Sequence, residues 1–136
     1  MDLGDIFDRW DYGTIGAAPK PCQYLFACLA AEAAVSNGGF ASLHYNPSRA
    51  IIPLAIEGFS ALGLDGLAEL TRQANELYKN VYDETGALIS EDEISEEDEA
   101  FGESLDRRFF AECDACGFEE ALADYVRKNA ECFGEA

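Results

Sequence analysis

The chain is expected to fold as a compact, all-α single domain, 1-136, built as a bundle of six or seven helices. Three observations predict this. Apolar residues recur at spacings of three and four along most of the chain, no segment alternates with a period of two, and a 49% hydrophobic composition gives 136 residues enough material for a core without disulfide staples.

The elements follow in order. Leu3, Ile6, Phe7 and Trp10 share one face of a short opening helix. Gly13 to Pro21, with two glycines and two prolines, reads as a loop, and Pro21 suits the first turn of the next helix, where its missing N–H does no harm. From Pro21 to about Ser36 the pattern is apolar nearly all round, as expected of a helix at the centre of a bundle. Asn37-Gly38-Gly39 should stop it, and Phe40 to Tyr45 should add one further turn. Ser48 is placed to cap a helix reaching Leu62, with Pro53 in its first turn or at a kink. Gly63 ends that helix, and Asp65 is expected to cap another running to about Tyr82. About 83–103 reads as an acidic loop or insert, in which Ser95 with Asp98 resembles a helix cap, so that the second half of the acidic run is able to enter a helix. A further helix is expected from Ser104, broken at Gly117 before a last helix that includes Phe133.

Charge narrows the function. Asp and Glu number 27 against 9 Lys and Arg, a formal net charge of −18. Such a surface repels nucleic acid and anionic membrane and draws in basic proteins. No basic-then-apolar leader opens the chain, since Asp2, Asp5 and Asp8 stand there. The longest apolar stretch, Tyr24 to Val35, is interrupted by Glu32 and is too short to cross a bilayer. Five cysteines, an odd number at irregular places, fit reduced thiols, so a cytoplasmic location is expected.

Glu91 to Glu99 carries seven acids in nine residues, and no Lys or Arg stands between Lys79 and Arg107. Carboxylates four apart on a helix lie roughly 6 Å from each other, close to the phosphate spacing of one DNA strand. Asp92 with Glu96, Glu93 with Glu97, and Glu99 with Glu103 have that spacing. The candidate partner-binding residues are therefore Asp83, Glu84, Glu91, Asp92, Glu93, Glu96, Glu97, Asp98, Glu99 and Glu103. The bland alternative is a solvated acidic loop that aids solubility. An EF-hand is excluded, because the Asp-x-Asp-x-Asp-Gly order with its terminal Glu is absent.

Cys113-Asp-Ala-Cys116 lacks the second close pair of a zinc site and the preceding strand of a redox motif. Two small residues on one buried helical side are the simpler account. His44, the lone histidine, has no nucleophile motif beside it, and Gly38-Gly39 lacks the Lys and Ser/Thr of a phosphate loop. No catalytic residue, metal or cofactor is expected.

Several local signatures stand in one order: Ala33-Ala-Val-Ser-Asn-Gly-Gly-Phe40, Tyr45-Asn46, Ala61-Leu-Gly63, Leu105-Asp-Arg-Arg-Phe-Phe110 and Tyr125-Val-Arg-Lys-Asn129. Over roughly Pro21 to Phe133 this resembles a bacterial domain-of-unknown-function family that includes the C-terminal domain of a DNA-mimic protein. The resemblance implies an all-α fold without cofactor and, in that member, an acidic surface that imitates DNA phosphates. Asn37, Gly38, Gly39, Phe40 and Asn46 match the signature and are expected to support the fold. The reading that results is an acidic protein-binding module, a DNA mimic that occupies and inhibits a basic DNA-binding protein, with no direct contact to nucleic acid and acting as a monomer or homodimer. The alternatives are an immunity or anti-toxin-like protein neutralising a basic toxin, and a metal or redox protein using Cys113, Cys116 and His44.

Overall fold

A computed structural model describes residues 5–44, 48–78 and 95–133. They form an all-α bundle with no strand among them: α1 (Ile6–Arg9), α2 (Lys20–Leu43), α3 (Ile52–Ala61), α4 (Asp65–Tyr78), α5 (Glu96–Cys116) and α6 (Phe118–Lys128). Three short 3-10 turns, Ile15–Ala17, Ser48–Ile51 and Ala130–Phe133, link or end these helices.

The bundle is organised around α2. Its small and apolar residues let α1, α3, α4 and α5 all approach it, and Cys22, Leu25, Phe26, Ala27, Cys28, Ala30, Ala31 and Val35 are buried along its length. At Gly58 of α3 an added Cβ would stand 2.9 Å from Cys28 Sγ and 3.1 Å from the Tyr24 carbonyl oxygen, so α2 and α3 meet backbone to backbone. Phe109 on α5 ties three elements together: its ring lies edge-on to Phe40 at 5.3 Å and to Phe59 at 6.2 Å.

Several boundaries differ from the expectation, each for a physical reason. The opening helix is one turn, Ile6–Arg9, and the loop after it is partly ordered by Asp11, whose carboxylate accepts from the Gly13 and Thr14 amides. Asn37-Gly38-Gly39 interrupts α2 where a stop was expected, and the expected further turn follows from Phe40. Hydrogen bonding resumes through Leu43, and the backbone departs from helix only at Gly38 and Gly39. Pro53 sits in the first turn of α3, its permitted place, after a 3-10 turn that begins at Ser48. Asp65 lies within the first turn of α4 rather than ahead of it as a cap. The last helix stops at Lys128, so Phe133 reaches the core from a 3-10 turn.

The largest correction concerns the acidic segment. Ser104 does not start a helix, because α5 already begins at Glu96; the second half of the acidic run is helix, as the Ser95 and Asp98 spacing suggested, and not loop. Ser95 is its N-cap, and the hydroxyl accepts from the Asp98 amide at 3.1 Å. Gly102 does not break the helix, since it is buried against α4, where an added Cβ would meet the Tyr78 hydroxyl at 2.5 Å. The expected reach of α4 to Tyr82 runs past Tyr78 and lies outside the described residues.

Candidate functional site

The N-terminal half of α5 gathers the acidic candidates that the structure describes. With Ser95 satisfying one end amide, Glu96, Glu97, Asp98 and Glu99 occupy the first turn, where the positive end of the helix dipole stabilises negative charge. Glu96, Glu97, Asp98, Glu99 and Glu103 are all exposed. Helical spacing puts Glu96, Glu99 and Glu103 on one stripe about 10 Å long, with Arg107, Phe110 and Asp114 continuing it. Asp83, Glu84, Glu91, Asp92 and Glu93 lie outside the described residues. The pairings of Asp92 with Glu96 and of Glu93 with Glu97 fall there with them.

Among the described residues no ion pair cancels these charges. The described ion pairs are Arg72 with Glu69 and Arg127 with Asp124, both on other helices. Arg9 donates to the Phe133 carbonyl at 2.9 Å, and Arg49 donates to the Asn75 amide oxygen at 2.7 Å. Among the described residues neither Arg107 nor Arg108 forms an ion pair with the acids of its own helix. Two large apolar side chains accompany the carboxylates, for Phe101 and Phe110 are each 42% exposed.

One α5 acid has a different task. Asp106 turns inward, and its Oδ1 accepts the Phe40 amide at 2.8 Å. The same carboxylate fills the space in front of Gly39, where an added Cβ would stand 2.3 Å from Oδ2. Gly39 has φ 76° and ψ −174°, a conformation that L side chains resist. The Asn-Gly-Gly-Phe and Leu-Asp-x-x-Phe signatures are therefore two halves of one clasp, closed by the Asp106 hydrogen bond and by Phe40 against Phe109. Burial, opposed by the Phe40 amide, holds the Asp106 carboxyl above its ordinary range. Asn46, the other expected signature residue, lies outside the described residues.

His44 continues the clasp into the core. The ring is fully buried, Nδ1 donates to the Phe40 carbonyl at 2.8 Å, and Tyr78 lies 5.2 Å away. Nε2 then carries the lone pair and makes no close hydrogen bond among the described residues, with the Asn75 side chain its polar neighbour. Burial lowers its pKa to about 4, so the imidazole is neutral at pH 7. Cys113 and Cys116 share one side of α5, and burial pushes the Cys113 thiol up to about 12, far from a reactive thiolate. No group of three or more His, Cys, Asp or Glu among the described residues is arranged to hold a metal ion.

Sequence reasoning missed the exposed Phe101 and Phe110 and the inward turn of Asp106. For Asp106 a signal existed: Leu105, Asp106 and Phe109 stand at helical spacing, and two of the three are apolar.

These features define a class: an all-α protein with an acidic helix held against a glycine-containing kink by a carboxylate clasp. Comparison with protein families places the chain more narrowly. Residues 16–129 match the family described as DMP19-like protein, and the chain belongs to that family, a family of DNA-mimic proteins. No curated protein and no solved structure matches it. Among the described residues no helix is long and apolar enough to cross a membrane.

Proposed function

We propose that the chain is a non-catalytic binding module that occupies a basic DNA-binding protein by presenting carboxylates where that protein expects phosphates. One observation carries this reading: Glu96, Glu97, Asp98, Glu99 and Glu103 are exposed on a capped helix and form no ion pair among the described residues. An ordered row of charge loses less conformational entropy on docking than a mobile acidic tail. Family membership supports the same reading. Phe110, on the same stripe as Glu96, Glu99 and Glu103, would add apolar contact within the charged surface, supplying specificity that carboxylates alone lack.

Long-range attraction between exposed charges is screened over about 8 Å at physiological ionic strength. The test begins with proteins captured on the immobilised chain at low salt and released at high salt. Each recombinant candidate is then measured against duplex DNA. The expected result is mutual exclusion of DNA and this chain, with affinity for the chain falling more than tenfold in the triple variant Glu96→Lys, Glu99→Lys, Glu103→Lys. A candidate that binds DNA and the chain together, or binds the triple variant undiminished, defeats the proposal.

A further inference from the structure

A second exposed apolar surface lies outside the segment that matches the family. Phe7 is 43% exposed and Tyr12 is 39% exposed. Both set an edge or face against the buried ring of Phe26, at 5.1 Å and 5.4 Å with steep interplanar angles, so the two exposed rings are seated on one buried ring. The family match begins at residue 16, so Phe7 and Tyr12 lie outside the matched residues while Phe26 lies within them.

Its surroundings say what would cover it. Asp5 and Asp8 are exposed on the same turn as Phe7, and neither has an ion-pair partner among the described residues. Arg9 donates to the Phe133 carbonyl and Lys20 sits 5.5 Å over the Tyr24 ring, and neither forms an ion pair with Asp5 or Asp8 among the described residues. Aromatic faces and carboxylates both attract a cation, and the rings also take apolar surface. Phe26 and Phe40 are fourteen residues apart on α2, so the patch is about 20 Å along that helix from the clasp that seats α5.

We propose that Phe7 and Tyr12, with Asp5 and Asp8, form a separate docking surface for a protein segment in which arginine or lysine alternates with apolar side chains. It shares with the function proposed above only the premise of a cationic partner. The probe is a ten-residue peptide alternating Arg and Leu, with a Gln and Leu peptide as control, titrated into the full chain and followed by NMR. The resonances to watch are the rings of Phe7 and Tyr12 and the indole of Trp10, the chain's one tryptophan. The expected result is saturable ring shifts with the Arg peptide that persist in the Glu96→Lys, Glu99→Lys, Glu103→Lys variant. Affinity at the rings should fall at least tenfold in Phe7→Ser, Tyr12→Ser. It should fall severalfold in Asp5→Asn, Asp8→Asn, which leaves the aromatic packing intact. Shifts confined to residues 96–103 would overturn this inference and leave the proposed function standing. Equal shifts with the Gln peptide would also overturn it, as would a self-association in sedimentation that the Phe7→Ser, Tyr12→Ser variant abolishes.

Discussion

Gly39 and Asp106 show how one residue's chemistry sets the kink on which the site rests. A side chain at Gly39 would suffer twice, from the positive φ of 76° and from the Asp106 carboxylate 2.3 Å away from its Cβ. Gly39→Ala should therefore cost about 2 kcal/mol or more, read from the urea midpoint. Asp106→Ala removes the acceptor for the Phe40 amide and should cost about 1–2 kcal/mol, like the loss of a helix cap, while Asp106→Asn keeps an acceptor and should cost less. The double variant Gly39→Ala, Asp106→Ala should cost less than the sum, because the clash disappears with the carboxylate. His44 gives the clasp a pH dependence. Its folded pKa is about 4 against an ordinary 6.5, so below pH 6.5 the unfolded chain takes up a proton that the folded chain refuses. Stability from this group is full above pH 6.5 and is lost as pH falls toward 4, by roughly 3 kcal/mol at most. Relief of the net negative charge acts in the opposite sense, so the comparison is made against His44→Gln: the wild-type advantage in urea midpoint should shrink from pH 7 to pH 4. A constant advantage would disprove neutral burial of the ring. The raised Asp106 pKa has the opposite sign, its charged form weakening the fold as pH rises past the ordinary carboxylate range.

For the element that carries the candidate site, one cap matters. Ser95→Ala should cost about 1 kcal/mol and speed hydrogen exchange at the amides of Glu97 and Asp98, with the remainder of α5 little changed. This cap and the acidic first turn were legible, because a Ser three residues ahead of an acid has a local cause. The unbroken course of α5 through Gly102 was not. Glycine lowers helix propensity, and what overrides it is a partner on α4, Tyr78, that no local window contains. The break in α2 and the turn that follows it at Phe40 were legible from Gly38-Gly39, but the contact that fixes the kink, from Asp106 66 positions downstream, was not.

Across the molecule, the −18 charge makes association the property most sensitive to solution conditions. Partner affinity should fall steeply between roughly 50 and 500 mM salt, with a shallower slope for the Glu96→Lys, Glu99→Lys, Glu103→Lys variant, measured by titration calorimetry. A flat salt response would remove charge as the driving force. Folding stability should respond the other way, rising modestly with salt as mutual repulsion is screened. The clasp joins α5 to α2, the helix that most other elements touch, so the acidic row is referenced to the centre of the bundle.

Helical class, the central place of α2, the acidic character and the Ser95 cap are all readable from the chain alone, since each follows from local periodicity or from summed composition. The inward turn of Asp106, the neutral buried state of His44 and the exposure of Phe7, Tyr12, Phe101 and Phe110 are not. They depend on which helices meet, and a carboxylate written among many others is told apart only by the backbone amide it faces.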